Sequence, residues 1–473
     1  MRLRRQGRTW LGGAKKGCAA LALAAAFSMS QVQEASAHGI WGHIHVTAWA
    51  IENLPPGELR DFFSDPAVRN AAYFGAAFTD SGYWPNANES AARSYGEHTH
   101  WEPFVEDYIQ WVIANDSAPF ASLESKQRVA FLMGAAAHGL QDEVFDSYMI
   151  HFTAEHDDGG QDETDPGTDG FLVIDGYAQV IPEVWLPMDL LLELYSSLNV
   201  EVEAKVIEQG VNAMMSVYVS DFGRSIAKGM GDYYAPKIPW TRAHYMDPAI
   251  PGSLRSEIAP TMRYIEAIWE RLHGRFDDDA LVVHTFPESP RRLLSGESGS
   301  IASVSMMVFG KGVADTTMLA SLATEEGDPI AATTLSNQWG GRPDAFTRLV
   351  RIRPNEDLAP GAWYRATLAA GVTLIDGSET TREFEHRYQV ECASGDDADC
   401  PDLGEIPSLE PRVWLDEPEP EPEEPGPESP DPEPEPSASE GCASAGGGSL
   451  AGLWAALLAF VLVRRQKHAT APR

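Results

Sequence analysis

One apolar stretch, residues 129 to 152, constrains the fold more than any other part of the chain. His138 and Asp142 lie four residues apart within it, so on a helix their side chains share one face in adjacent turns. Such a pair more often stabilises a helix than binds a ligand. Burying a histidine and a carboxylate in an apolar helix is nevertheless unfavourable unless the two are paired or bind metal. The stretch predicts a buried helix with a polar pair that needs further partners.

Residues 38 to about 275 contain several apolar stretches with helical periodicity and few alternating runs. This pattern predicts an all-α bundle in which a site is built from side chains on facing helices. The stretches are residues 44–54, 101–113, 127–152, 186–198, 202–227 and 253–273.

From residue 281 the pattern changes to short β-rich runs separated by Gly, Pro and Asp turns, which predicts a β-sandwich over residues 281–392. The segment Leu358-Ala359-Pro360-Gly361-Ala362-Trp363-Tyr364, after an opening at residues 286–290, resembles bacterial immunoglobulin-like domains. The predicted fold class is therefore an all-α domain followed by an Ig-like β-sandwich domain.

Both ends of the chain carry targeting patterns. Residues 1–37 have basic residues, an apolar run and Ala35-Ser36-Ala37, which is typical of a signal peptide cleaved before His38. Residues 404–440 are rich in Pro and Glu and predict a disordered spacer. Residues 441–473 place Cys442 before a short apolar run and a basic cluster, and they resemble a myxosortase-type sorting signal. The alternative is a single-pass C-terminal anchor.

Charge and cysteine content limit the function further. The formal net charge is −35, and an acidic body lacks the Lys and Arg clusters that nucleic acid binding normally needs. Cys392 and Cys400 flank a short acidic turn in an exported chain, which predicts a local disulfide. No cysteine lies between residues 38 and 391, so a metal site there must use His, Asp and Glu.

The order of further candidate ligands carries a resemblance to a known family. His43 follows the predicted cleavage site by a few residues, Asp80 lies in Phe78-Thr79-Asp80-Ser81-Gly82, and His100 lies in Thr99-His100-Trp101-Glu102-Pro103-Phe104. With the His138-x3-Asp142 helix, this order resembles the zinc-dependent phospholipase C/D superfamily. The blocks at residues 99–104 and 130–134 are similar to the N-terminal domain of glycosylphosphatidylinositol-specific phospholipase D.

The resemblance implies a two-zinc centre formed after signal cleavage. The freed backbone of His38 would bind one metal together with His43 and Asp142. A second metal would be held by Asp80, His100, His138 and Asp142, with Asp142 bridging. Imidazole and carboxylate groups suit zinc, and paired metals support phosphodiester hydrolysis.

A third metal site of the family is altered in this sequence. The aligned positions are Asp146, Asp165 and Asp169, where the family has two histidines and an acid. Three interpretations stay open. The carboxylates hold a third Zn²⁺ or a harder cation such as Ca²⁺ or Mg²⁺, the site recruits His151 or His156, or residues 157–169 form a solvated loop without metal.

The predicted function is an exported, surface-anchored metal-dependent hydrolase of phospholipid or a related phosphodiester, with Asp80 as metal ligand and general base. Its predicted partners are that substrate, the membrane and a sorting protease for the C-terminal tail. One alternative is a surface binding or adhesion protein with a degenerate phospholipase domain. The other is a zinc-dependent nuclease of the same superfamily.

Overall fold

Helices come first along the chain and strands second. The computed structural model describes residues 39–84, 89–218, 220–289, 291–314, 319–336, 346–392, 400–404 and 409–413. The predicted signal peptide, His38, Cys442 and the sorting segment lie outside the described residues, as does most of the predicted spacer. The helices are Ile40–Glu52 (α1), Glu58–Phe62 (α2), Pro66–Phe78 (α3), Glu89–Thr99 (α4), Glu102–Asn115 (α5), Leu123–Asp157 (α6), Gln161–Ile174 (α7), Met188–Ser197 (α8), Ala204–Tyr218 (α9), Asp221–Tyr234 (α10), Pro239–His244 (α11) and Ile258–Leu272 (α12).

Helix α6, which contains His138 and Asp142, and helix α3, which packs against it, both begin at sequence-encoded caps. The Asp65 side chain accepts a hydrogen bond from the Ala67 amide at 2.9 Å, and Pro66 occupies the first position of α3. Ser122 caps α6 by accepting from the Ser125 amide at 3.0 Å. Among the described residues no helix is long and apolar enough to cross a membrane.

Two four-stranded antiparallel sheets follow the helices. The first sheet has the order β1-β2-β6-β5 and the second β4-β3-β7-β8. The strands are Val282–Phe286 (β1), Ser305–Ala314 (β2), Ala320–Thr324 (β3), Pro329–Ile330 (β4), Ala332–Ser336 (β5), Phe346–Pro354 (β6), Trp363–Leu368 (β7) and Phe384–Gln389 (β8). Beyond β8 the chain forms a disulfide between Cys392 and Cys400, with the Cα atoms 6.2 Å apart.

The predicted fold class, an all-α domain followed by a β-sandwich domain, is wrong. The chain is about half helical with two small antiparallel sheets, and the described residues all belong to one compact unit, Ala35–Trp414. The largest apolar core joins residues of the helices to Phe286, Met306 and Leu349 of the first sheet. One face of the first sheet thus completes the helical core, which the separate periodicities of the two regions did not reveal, while a second apolar cluster lies within the strand region itself.

The short C-terminal segment 409–413 also lies against the helices, although the sequence assigned it to the spacer. The Asn53 side chain donates to the Glu410 carbonyl at 2.9 Å, and Arg255 Nε donates to the Leu409 carbonyl at 3.1 Å. Leu409 and Val413 pack on the helical core. These contacts concern residues 409–413 alone, and most of the predicted spacer lies outside the described residues.

Helices α3 and α6 lie unusually close together because glycine occupies both sides of their contact. A Cβ atom on Gly134 would lie 1.9 Å from the Ala72 carbonyl oxygen, and one on Gly75 would lie 2.3 Å from the Phe131 carbonyl oxygen. At the same contact the Ala76 carbonyl accepts a hydrogen bond from His138 Nδ1 at 2.6 Å. The glycines therefore set the distance at which α3 orients a histidine of α6.

We expect Gly134→Ala to lower the free energy of unfolding by about 1–3 kcal/mol, the usual effect of overpacking. The obstacle is backbone rather than a movable side chain, so the helices must separate. Denaturant unfolding of the variant measures the loss directly. Unchanged stability together with unchanged metal affinity would contradict the close approach of α3 and α6 at Gly134.

Candidate metal centre

Four separate segments bring five candidate ligands to one buried place. His43 lies on α1, Asp80 lies in the 3-10 turn Thr79–Tyr83 after α3, and His100 lies in the turn between α4 and α5. His138 and Asp142 lie in consecutive turns of α6, as their spacing predicts. The three histidines and Asp80 are at most 4 % exposed. The site is therefore a property of the tertiary fold and not of one local motif.

The ligand atoms face one another at short distances. Asp142 is the common neighbour, because its Oδ1 lies 3.1 Å from His43 Nε2 while its Oδ2 lies 3.4 Å from His100 Nε2 and 3.3 Å from His138 Nε2. Asp80 Oδ1 lies 3.5 and 3.6 Å from His100 Nε2 and His138 Nε2. The donor atoms form two groups of three, and within each group all atoms lie within 4.8 Å of one another. His43, Asp80 and His138 form the first group, and His100, His138 and Asp142 form the second.

Each histidine ring is oriented by an oxygen on its far side. His138 Nδ1 contacts the Ala76 carbonyl at 2.6 Å, and His100 Nδ1 contacts the Gly96 carbonyl at 2.7 Å. His43 Nδ1 contacts the side-chain oxygen of Gln141 at 3.0 Å. A carbonyl oxygen accepts only, so each Nδ1 carries the proton and each Nε2 presents a lone pair to the centre. A metal-binding histidine typically donates its other ring N–H to an oxygen of the protein in this way.

The centre consequently has lone pairs facing lone pairs. His100 Nε2 and His138 Nε2 are 3.2 Å apart, although neither has a proton to donate in this tautomer. Asp80 Oδ1 is buried and has no hydrogen-bond partner among the described residues. Such an arrangement is unfavourable unless a cation or added protons lie between the donors. The residues present fit a metal ion, and they form buried His/Asp groups that could hold one.

In the metal-free site the histidines and carboxylates shift one another's pKa values. Burial alone would lower the pKa of His100, but Asp80 and Asp142 raise it to about 9. Burial alone would raise the pKa of Asp142, but His138 and His43 hold it well below its usual range. Without metal the site therefore takes up protons on histidine, and protons and metal compete for the same nitrogens.

His45 shows what a buried histidine looks like when it is not a ligand. Its Nδ1 donates to the Trp41 carbonyl at 2.7 Å, and its Nε2 accepts from the amides of Gln179 and Val180 at 2.8 and 3.0 Å. Both ring nitrogens are thus used within the protein, and burial lowers the pKa of His45 to about 4. His45 is part of the core, whereas His43, two residues away, faces the centre.

The three aspartates of the predicted third site, Asp146, Asp165 and Asp169, are all buried. Burial, Asp146 and Asp142 together raise the pKa of Asp165 well above its usual range, and burial and Asp142 do the same for Asp146. The loop interpretation is wrong for residues 161–169, which form the first part of α7. His151 and His156 are exposed. Among the described residues, the carboxylate oxygens of Asp146, Asp165 and Asp169 do not form a group of three within 4.8 Å of one another.

Asp169 has a separate structural role at the beginning of α1. Its carboxylate accepts from the Gly42 amide at 2.9 Å and from the Trp41 amide at 3.3 Å. The residue before α1 is Gly39, which has no side chain to cap the helix. A carboxylate near a helix N-terminus is stabilising. Asp169 therefore fixes the helix that carries His43.

We expect Asp169→Ala to lower the free energy of unfolding by about 1 kcal/mol, as the loss of a helix cap does. Asp169→Asn should retain most of that stability, because the amide oxygen still accepts from the Gly42 amide. Thermal unfolding and metal titration of both variants test this role. If Asp169 were a metal ligand instead, the asparagine variant would lose bound metal as completely as the alanine variant.

Two further residues of the site carried no signal in the sequence. Gln141 orients His43 and is itself held by a hydrogen bond from its Nε2 to Thr47 Oγ1 at 3.0 Å. Arg348 of β6 is fully buried and donates to the carbonyl of His100 and, at 3.2 Å, to the carbonyl of Ala136. Both carbonyls lie more than two hundred residues from Arg348 in the sequence, so residue spacing could not have indicated these contacts.

Comparison with known proteins does not assign this chain to a family. No family model matches, and no curated protein matches. Among solved structures the chain is similar to the S-layer protein rSbsC(31-844), to domains 1-6 of the surface layer protein SbsC, and to the N-terminal part of the bacterial S-layer protein SbsC. Each is 10% identical with a TM-score of 0.18 over 68% of this chain, which covers 46%, 46% and 79% of theirs. At this TM-score the similarity carries no argument.

Proposed function

We propose that this chain is an exported, surface-anchored, metal-dependent hydrolase of phospholipid or a related phosphodiester. The observation that carries the proposal is the set of three Nε2 atoms and two carboxylates facing one another in two overlapping groups. The order of these residues along the chain supports it, because that order resembles the zinc-dependent phospholipase C/D superfamily. Export and anchoring rest on the targeting patterns at the two ends of the sequence.

The donor set favours zinc. Imidazole nitrogen and carboxylate oxygen are common zinc ligands, and no thiol is present among them. His43 and Asp142 would hold one ion, and Asp80, His100, His138 and Asp142 would hold the other, with Asp142 shared. When bound, two such ions lower the pKa of water and stabilise charge on a phosphodiester during displacement.

The chain's own residues would orient that chemistry. Asp142 uses different oxygens toward His43 and toward the pair His100 and His138, which suits a bridging carboxylate. We assign to Asp80 the roles of ligand and general base. Near His100, the Tyr83 hydroxyl and the Trp101 indole both donate to the Glu97 carboxylate, at 3.0 and 2.9 Å. This places the Tyr83 ring 5.6 Å from the His100 ring, as one aromatic wall of the site.

The decisive experiment uses the full chain after signal cleavage, because residues of the first sheet form part of the helical core. Metal-free protein is supplied with zinc and incubated with phosphatidylcholine vesicles, and water-soluble phosphate esters and phosphatidic acid are measured. We expect release of one of these products with zinc, and none after chelation. Asp80→Asn should lose at least about 100-fold in rate, the lower range for removal of a general base, while Asp232→Asn, an exposed change on α10, should retain the rate.

Other outcomes would favour other functions. Cleavage of single-stranded DNA with no action on vesicles or on a small phosphodiester would favour a nuclease. Stoichiometric metal binding with no hydrolysis of any phosphodiester would favour a binding protein with a degenerate site. Absence of bound metal in correctly processed protein would contradict both the hydrolase and the metal centre.

The pH dependence of the metal-free protein gives an independent check. The pKa of His100 in the folded protein is about 9, above the ordinary histidine value of 6.5, because Asp80 and Asp142 outweigh the effect of burial. The stabilisation from this group is therefore complete below pH 6.5 and lost as the pH rises to about 9. We expect the metal-free protein to lose stability between pH 7 and 9, by up to about 1.4 kcal/mol per pH unit for one proton. Zinc-loaded protein should not show this loss, which thermal unfolding over the pH series would measure.

A further inference from the structure

A cavity of about 240 Å³ lies on another part of the molecule and shares no lining residue with the metal centre. Residues 248–263, before and within α12, form one wall. Residues 284, 286–288, 291 and 292, at the end of β1 and after it, form the other, and Leu409 closes one side. Its charged and titratable lining residues are Arg255, Arg263, Arg291, Arg292, His284 and Glu288.

The concentration of arginine is unexpected in this protein. The chain has 70 acidic against 35 basic residues, yet four arginines and a single carboxylate, Glu288, are among the residues that line the cavity. Such a local excess of cationic donors on an acidic protein creates a place where an anion is attracted. No substrate or metal of the proposed hydrolase accounts for it.

Two of these arginines form ion pairs with carboxylates of described residues, and the other two do not. Arg255 contacts Glu410 at 2.7 Å and Arg263 contacts Glu266 at 2.8 Å. Arg292 donates only to uncharged oxygens, those of Gln389 at 2.8 Å and of the Pro401 carbonyl. Arg291 forms no side-chain hydrogen bond or ion pair with a described residue, but together with Arg263 it opposes the rise that burial causes in the pKa of Glu288. Even with Glu288 counted, the lining retains positive charge.

A buried histidine in the lining supplies a second, independent observation. His284 is 8 % exposed, and its Nε2 is buried without a hydrogen-bond partner among the described residues. Burial, Arg263 and His386 lower the pKa of His284 to about 3, so the ring is neutral and can donate one N–H. An unpaired polar atom of this kind is unfavourable unless a ligand or water meets it.

We propose that this cavity binds a small oxyanion of the phosphate-ester class through Arg291 and Arg292, with His284 Nε2 as a further donor. Guanidinium groups match the spacing of phosphate oxygens and give charge-assisted hydrogen bonds. The apolar lining residues Met262, Phe286 and Leu409 leave room for an uncharged substituent on the ester. The site is therefore a second phosphate-recognition site, separate from the centre proposed to hydrolyse phosphodiesters.

Binding can be tested on the full zinc-loaded chain with inorganic phosphate as the first probe. We expect phosphate to shift the imidazole NMR signals of His284, which are assigned by their absence in His284→Gln. The double variant Arg291→Gln with Arg292→Gln should weaken this binding at least tenfold, by calorimetry and by the same signals. Its rate of phosphodiester hydrolysis should be unchanged, because neither arginine belongs to the metal centre.

Matched controls separate this site from the metal centre and identify the source of the phosphate group. Arg353→Gln, on β6 and outside the cavity, should leave phosphate binding intact. Glycerol phosphate competing with inorganic phosphate would indicate a soluble ester, and recruitment to phosphatidic acid vesicles that depends on Arg291 and Arg292 would indicate a lipid headgroup. No shift of the His284 signals at millimolar phosphate, or a shift that survives the double variant, would overturn the proposal.

Discussion

Asp142→Asn should abolish metal binding and reduce stability in the same variant. Metal affinity is expected to fall by more than about 100-fold, because even the loss of an outer-shell partner weakens metal sites 10- to 100-fold. The free energy of unfolding in the presence of zinc should fall with it, because metal that binds only the folded state stabilises that state.

The expected size follows from the position of Asp142. Its two oxygens contact three different imidazole nitrogens, which come from three separate segments of the chain. An asparagine side chain keeps the shape but carries one neutral oxygen and an NH₂ group that donates and cannot bind metal. The three Nε2 lone pairs would then have no shared anion, and both proposed ions would lose a ligand at once.

Elemental analysis and calorimetric zinc titration of the purified variant, with thermal unfolding with and without zinc, measure both effects. Asp232→Asn is the matched control, because Asp232 is an exposed aspartate within α10. The control should keep wild-type metal content. Full zinc content in Asp142→Asn would show that the residue is not a shared ligand. If zinc does not change the stability of the parent protein, metal binding is not coupled to folding.

Several parts of this site were open to prediction from the sequence. The pair His138 and Asp142 followed from helical spacing in an apolar stretch, because a helix dictates which residues share a face. His43, Asp80 and His100 followed only from the family resemblance, since the same sequence offers His45 and His98 with equal chemistry. The partners of each ring nitrogen separate ligand from core histidine, and these partners are known only once the helices are packed.

The arrangement of helices and strands was beyond the reach of periodicity. A pattern reports that one face of an element is apolar but not which element covers it. Here Met306 and Leu349 of the first sheet enter the core of the helices. For the same reason Arg348, a charged residue in a strand, gave no indication that its side chain lies among helices. The separation into two domains was the error, and it concealed a residue of the metal site.

Replacing Arg348 should disturb both the fold and the metal centre. Arg348 Nε lies 2.8 Å from Glu102 Oε1, and that oxygen also accepts from the Tyr264 hydroxyl at 2.6 Å. Arg348 and Glu102 are each at most 1 % exposed. Arg348→Met leaves the Glu102 charge buried without its cation, which typically lowers the free energy of unfolding by about 3–5 kcal/mol. Arg348→Lys keeps the charge but cannot reach several acceptors with one planar group. Its free energy of unfolding should therefore lie between those of the parent protein and of Arg348→Met.

A double variant separates the role in folding from the role at the site. In Arg348→Met with Glu102→Gln the buried Glu102 charge is removed as well, so part of the stability lost in Arg348→Met should return. The recovery should be incomplete, because the buried Glu143 carboxylate, whose Oε1 lies 3.8 Å from Arg348 Nε, still loses this cation. Zinc affinity should not return, because the His100 carbonyl still lacks the donor that fixes its turn. We expect a deficit of about 10- to 100-fold, the range for outer-shell partners.

Denaturant unfolding gives the stability of each variant, and the visible spectrum of the cobalt-substituted protein reports the ligand geometry. Arg353→Met, a change on the same strand at a residue that does not contact Glu102, His100 or Ala136, should preserve both. If the double variant recovered wild-type zinc affinity together with stability, Arg348 would be purely structural. If only stability recovers, the first sheet holds a ligand turn of the metal centre in place, and an isolated fragment of residues 38–275 would lack a functional centre even where its helices form.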